Sequence, residues 1–416
     1  MGIPIVLGKF PFHGAMTEKH PHNGMAKCRL VKQGLPPGSC LVKVGDDQRP
    51  ACRATLRYEN GKPKRLITSV HLSRPENYLS IYQSGCNFSC RKCHSWYFSK
   101  EAEGTWYSSE DILEKCMEYE TLVTLREPRQ RATAWHAQET CRCCGSCVTR
   151  GRRSDACPGD LDPEAILLSL QGLGPARNIV AFTGGDVTCC PEFYEECARL
   201  IKTHTDLWVL IETNGYGLTP RNLDRLQISG VDAFWLDIKA YAAGTHKWLT
   251  GCGNVHILKL PEEMLSRGFT LEVLSLYIPD LVESDELAKI ARSLSEVDPA
   301  IPFTILAFFP EHRMKDFRSP TTREMVDAYR SVKSTGLTNI RLGNLGVFVR
   351  NDDDLEYLTA NIEGNALLLK KFHAMLGSPL TLHRTEAFMA KAFRGDAVVN
   401  LPRALNNDGH ESLRLA

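Results

Sequence analysis

Gly85-Cys86-Asn87-Phe88-Ser89-Cys90-Arg91-Lys92-Cys93 follows the apolar run Leu79-Ser80-Ile81-Tyr82, and its reading decides the fold. Three thiolates spaced by four and three residues on one loop can grip three irons of a 4Fe–4S cluster and leave the fourth iron without a protein ligand. An open iron invites a substrate or cofactor to complete it. Taken alone, the same spacing would also serve a zinc ion, so the neighbouring segments must discriminate.

Downstream, short apolar runs alternate with helix-length amphipathic stretches. Ile179–Thr183, Leu207–Glu212, Ala233–Ile238, Thr270–Leu276 and Phe303–Ala307 read as strands, with helical patterns over Pro191–Lys202 and Pro220–Leu226. Such alternation predicts an α/β fold built of βα units around a parallel sheet, a full or partial barrel with its chemistry at the carboxyl ends of the strands. Residues 1–77 read as a β-rich segment with hairpin turns, 78–320 as the core, and 321–416 as a C-terminal α+β domain. The chain has 416 residues, 50 Lys+Arg against 49 Asp+Glu, and 16 cysteines. Even charge gives no footprint for nucleic-acid or membrane binding, and neither a long apolar run nor a signal-like start is present. A cytoplasmic protein is expected, in which clustered thiols more often hold metal than form disulfides.

Three further motifs sit at the next successive strand ends, and a fourth follows the later run Phe303–Ala307. Gly184-Gly185-Asp186 offers a close backbone approach and an acid that can pair with an ammonium. Glu212, in Glu212-Thr213-Asn214-Gly215, can accept from two ribose hydroxyls. Asp237 and Lys239 either meet a ligand, Lys239 pairing with a carboxylate, or form a salt bridge with each other at the barrel rim. His312 follows Phe309-Pro310-Glu311.

These residues resemble the radical S-adenosylmethionine (SAM) superfamily, whose CxxxCxxC loop follows the first barrel strand. Lys92 replaces the usual aromatic residue before the last cysteine, and Asp186 replaces the usual Glu of the GGE motif. The resemblance implies a 4Fe–4S cluster on Cys86, Cys90 and Cys93. It further implies SAM against Gly184, Gly185, Asp186, Glu212, Asn214, Asp237, Lys239 and His312. The strand-end motifs are also similar to those of the glycyl-radical-enzyme activases.

A second cysteine group lies at 136–160. Cys141, Cys144, Cys147 and Cys157, with Cys143 in reserve, can bind a single iron or zinc through four sulfurs, or a second iron–sulfur cluster. The stretch from Thr124 to Asp160 has little apolar periodicity, so a structural metal is expected to order it. Cys190 and Cys197 sit on the buried face of a helical pattern and are expected to be packing residues.

Core, insert, length and extension together resemble the methanogenesis-marker radical SAM methyltransferases. That resemblance implies cobalamin, methylation of an arginine Cδ in methyl-coenzyme M reductase, and an electron donor as a second partner. It makes 321–416 a cobalamin-binding domain, with Arg341, Gly343, Asn344 and Gly346 against the corrin. No Asp-x-His-x-x-Gly motif is present, so His373 and His383 are expected to be surface or packing residues. Two alternatives stand beside this reading: an activase-like radical SAM enzyme without cobalamin, and a non-catalytic iron–sulfur or zinc scaffold.

Overall fold

The apolar runs become strands in a computed structural model that describes residues 28–154, 157–159, 161–169 and 171–362. They are β1 (Leu41–Val44), β2 (Asp47–Pro50), β3 (Leu56–Glu59), β4 (Lys62–Leu72), β5 (Leu79–Gln83), β6 (Thr105–Ser108), β7 (Leu167–Ser169), β8 (Gly172–Gly174), β9 (Ile179–Gly184), β10 (Trp208–Thr213), β11 (Ala233–Asp237), β12 (Thr270–Tyr277), β13 (Phe303–Ala307) and β14 (Ile340–Gly343). Ten of these form one sheet in the order β14-β13-β12-β11-β10-β9-β5-β4-β3, with β6 on β4. β5 and β9 to β14 run parallel, and β3, β4 and β6 extend the sheet antiparallel beyond β5. Strands covered on both faces need apolar residues on both, and Ile179, Val180, Ala181 and Phe182 are all fully buried.

The intervening helices bury one stripe each. Glu192–His204 covers Phe193, Tyr194, Cys197, Ala198 and Ile201, a helical spacing that also explains why Cys197 is a packing residue. Pro220–Ser229 starts at Thr219, whose hydroxyl accepts the Asn222 N–H, and has Pro in its first turn. Thr322–Lys333 opens with a reciprocal cap between Thr321 and Glu324.

Two expected boundaries move. Residue 78 is not a domain edge, because β3 and β4 belong to the main sheet and β4 pairs directly with β5. Residue 321 is not one either: β14 hydrogen-bonds to β13, so the helix Thr322–Lys333 and β14 form one more βα repeat of the sheet. A further helix spans Asp352–Asn361. The rest of the expected cobalamin domain, including His373 and His383, lies outside the described residues, as do residues 1–27. The short helix Arg29–Lys32 belongs to an N-terminal unit that ends at Pro37.

A structural metal is expected to order the insert; its inner half, Thr124–Thr140, is also tied to the sheet by side-chain and main-chain hydrogen bonds. The Arg177 guanidinium, 0% exposed, pairs with Glu127 and donates to the carbonyls of Thr133 at 2.8 Å and Arg131 at 2.5 Å. Trp135 donates its N–H to Glu272 on β12 at 2.8 Å, and Arg341 on β14 lies over the Trp135 ring at 3.8 Å. A buried arginine is tolerated only when nearly every donor is used, and here they are.

Candidate active site

Where β5 ends, the chain turns into the cysteine triad, and main-chain hydrogen bonds hold that turn from three sides. Gly85 N–H donates to Phe98 O at 3.0 Å, Asn87 N–H to Asp186 O at 2.8 Å, Ser89 N–H to Thr250 O at 2.9 Å and Arg91 N–H to Leu249 O at 2.8 Å. Gly185 donates its N–H to Gln83 O at 2.7 Å, and a Cβ there would lie 2.2 Å from Gly85 O. Only glycine lets the β9 end pass so close beneath the loop. Phe88, almost fully buried, packs its ring on Tyr216 and His246.

The donor set fits an iron–sulfur cluster. Three soft thiols lie on one rigid loop, and the Lys239 ammonium stands close enough to Cys90 and Cys93 to interact with their charge. Burial, reinforced by Asp186, pushes the Cys86 thiol up to about 11, and burial raises that of Cys90 too. Thiolates here therefore need cationic compensation. Two buried polar atoms beside the triad, Asn87 Nδ2 and Asp237 Oδ1, have no hydrogen-bond partner among the described residues, which suits a site built to receive a polar ligand.

The residues expected to meet SAM divide into two groups. Asp186, 4% exposed, is fully engaged: Oδ1 accepts from Thr188 N–H at 2.9 Å and its hydroxyl at 2.8 Å, and Oδ2 from Thr213 Oγ1 at 2.6 Å and Asn214 N–H at 3.0 Å. Its short side chain reaches the local backbone and braces the β9 and β10 ends together. Asn214 likewise supports the triad, donating to Asn87 Oδ1 at 2.7 Å while its own oxygen accepts Tyr216 N–H at 2.9 Å. Asp237 and Lys239 form the mutual ion pair that was the second reading of that motif.

Glu212 faces the sheet interior, accepting from Tyr78 Oη at 2.9 Å and Thr183 Oγ1 at 2.5 Å. Burial holds its carboxyl up to about 8, with those two hydrogen bonds pulling down and Glu76 and Glu272 pushing up. Glu272 is raised to about 7, again by burial, against the Trp135 N–H and Arg341. At the loop after β13, Glu311 pairs with Lys92 and with His94 at 3.1 Å. Lys92, 7% exposed, rests on the Phe309 ring at 3.4 Å, and His312 stacks on Trp96 at 5.3 Å. Lys92 thus packs in place of an aromatic residue and ties the 309–312 loop to the triad.

The second cysteine group lines a recess of about 440 Å³, counting space open to solvent, with Cys141, Cys143, Cys144, Cys147 and Cys157 in its wall. Cys143 stays beside Cys141, its N–H donating to the Cys141 sulfur at 3.3 Å, while its own thiol also reaches Asn77 Oδ1 at 3.2 Å. Five soft donors suit a thiophilic ion. As the thiols stand, no three His, Cys, Asp or Glu side chains among the described residues converge on one ion, so a single metal would have to draw them together.

The residues expected against a corrin do not form a face. Arg341 is buried, its guanidinium bonded to Trp135 O and, at 2.8 Å, to Glu139, and Gly343 is inside β14. Asn344 and Gly346 are exposed beyond its end, with Asn344 donating to Ala307 O at 3.0 Å. The correction follows from Glu139: an acid on the insert captures the arginine.

Sequence reasoning passed over Glu272, Asn87, Tyr78 and the Glu127–Arg177 pair. Glu272 had a signal, a lone acid inside Leu271-Glu272-Val273-Leu274. A model of the radical SAM superfamily matches residues 139–294, beginning after the triad. The chain carries a radical SAM domain. A Methanocaldococcus jannaschii protein named for glycyl-radical enzyme activation is 29% identical over 270 residues, spanning 63% of this chain and 78% of that one. Among solved structures, a domain of pyruvate-formate lyase-activating enzyme from Bacteroides vulgatus aligns with 17% identity and TM-score 0.35, covering 40% of this chain and 98% of that one. Streptococcus suis SuiB bound to SAM aligns with 13% identity and TM-score 0.32, over 38% and 35%. No helix among the described residues is long and apolar enough to cross a membrane.

Proposed function

We propose that this radical SAM chain is an activase-like enzyme that cleaves SAM reductively and uses the resulting radical on a protein or peptide substrate. The observation that carries the reading is the braced triad at the carboxyl end of β5, with Gly185 packed against its first turn. Similarity to the M. jannaschii protein supports the activase-like choice.

Cys86, Cys90 and Cys93 would hold the cluster, with Lys239 offsetting thiolate charge. When bound, a reduced 4Fe–4S cluster supplies the single electron that cleaves SAM. The chain's own part is to bind, orient and exclude water. Asp186 and Asn214 fix the height of the triad, Glu212 offers the interior a carboxyl that keeps its proton near neutral pH, and the largely buried stretch Thr133–Gln138 forms a plug that keeps solvent from the sheet. Cys141, Cys144, Cys147 and Cys157 are proposed to take one thiophilic ion that orders the outer half of the insert.

Cobalamin-dependent arginine methylation is not carried forward, since the relative matched over 270 residues is named for glycyl-radical enzyme activation. The deciding test supplies reconstituted protein with SAM and dithionite, and either a glycyl-radical-enzyme partner or methylcobalamin with an arginine peptide of methyl-coenzyme M reductase. The activase-like reading predicts 5′-deoxyadenosine with methionine, and a glycine-centred EPR doublet on the partner. S-adenosylhomocysteine with a methylated peptide would overturn it.

A further inference from the structure

On the outer side of the triad loop, Arg91 makes an exposed contact with a neighbouring helix. Arg91, between two of the three cysteines, lays its guanidinium over the Trp248 ring at 4.4 Å and donates from Nε to Trp248 O at 3.0 Å. Its carbonyl accepts the N–H of Arg313 at 3.1 Å, and Trp248 meets Phe317 with ring centroids 6.1 Å apart. Three segments distant in sequence are thereby joined into one surface. Lys247, Arg313 and Lys315 are exposed on it, and Trp248 remains 38% exposed. Among the acids nearby, Glu311 is already held by Lys92 and His94, which leaves Asp316 against four cations. An exposed indole set among cations is well suited to an acidic partner.

We propose that the surface of Arg91, Lys247, Trp248, Arg313, Lys315 and Phe317 docks an acidic one-electron carrier protein. The inference rests on the radical SAM reading, which requires one electron per SAM cleaved and so a donor, an iron–sulfur or flavin protein that is oxidised by one electron at each encounter. Electron transfer falls steeply with distance, and Arg91 lies on the cluster-bearing loop itself, between Cys90 and Cys93, with its side chain in an exposed contact. Trp248 and Phe317 supply the desolvated centre of the contact, and the cations supply steering.

The test compares two reductants on the reconstituted full chain: dithionite, and a small acidic 4Fe–4S ferredoxin, pre-reduced and freed of chemical reductant. The variant is Lys247→Glu with Lys315→Glu, at two exposed positions away from the cysteines and the interior. With ferredoxin, kcat/KM for 5′-deoxyadenosine formation should fall by about tenfold in the variant, and the wild-type rate should fall steeply with ionic strength, as steered association does. With dithionite, variant and wild type should agree within about twofold, because a small reductant needs no docking face. Equal ferredoxin rates, or a parallel loss with dithionite, would overturn the docking assignment. Absence of 5′-deoxyadenosine from wild type with dithionite would instead overturn the radical reading, and the docking proposal with it.

Discussion

Residues 85–93 and 141–157 each bring several cysteines to a C-x-x-C step, and they differ in what holds them. The first is fixed by hydrogen bonds from four of its backbone amides to distant segments, by Gly185 beneath it and by Phe88 within an aromatic group. The second leans on a small apolar set, Ile166, Leu168 and Leu173, against which Cys141 and Cys147 pack. A loop shaped before its cofactor arrives can hold that cofactor in a reactive geometry. A loop with little core of its own gains its order from what it binds.

The largest effect should come from the first loop. Cys90→Ala should abolish 5′-deoxyadenosine formation while leaving the insert's metal content unchanged, as read by product analysis and elemental analysis together. Loss of both metals at once would erase the distinction between the loops. Next, Arg177→Met leaves Glu127 buried without its partner, and removal of one member of a buried pair costs about 3–5 kcal/mol. Chemical denaturation should show that loss, since this pair ties the inner half of the insert to the sheet. A change below about 1 kcal/mol would mean that the plug is ordered some other way.

Replacing Cys144 and Cys147 together by Ala should lower the metal-to-protein ratio by about one and the melting temperature by several degrees, with SAM cleavage retained. An unchanged ratio would show that the outer half of the insert binds nothing and would sharpen the contrast in the opposite sense. The smallest effect is a pH dependence. Burial keeps Glu212 protonated up to about 8, whereas in the unfolded chain the group loses its proton near its ordinary 4.5. The folded state therefore holds the extra proton between those values, and stability present in full below about 4.5 declines as pH rises through about 8. Glu212→Gln should flatten melting temperature against pH over that window. A wild-type profile already flat would show that Glu212 is ionised in the fold.

The strands were legible because buried parallel strands must be apolar on both faces, and Ile179–Phe182 or Val209–Ile211 can do little else. The triad was legible because its spacing is chemistry. Asp186 was not, since an acid after two glycines reads equally as a ligand or as a brace, and only the positions of Thr188 and Thr213 decide. Arg341 failed for a related reason: its captor, Glu139, lies 202 residues away in a stretch that looks like solvated loop. The inner insert escaped notice because polar residues, Glu127, Thr133 and Gln138, share its buried positions with Ala132, Trp135 and Ala137. Gln138 is buried, and Glu127 is matched to an arginine that sequence periodicity does not reveal.

The most direct measurement is anaerobic turnover of reconstituted wild-type protein with SAM and dithionite, followed by chromatography of the nucleoside products beside Cys90→Ala. The account predicts 5′-deoxyadenosine and methionine in equal amounts from the wild type and none from the variant. Product from both proteins, or from neither when the wild type carries its cluster, would contradict the assignment of Cys86, Cys90 and Cys93 as the centre of the chemistry.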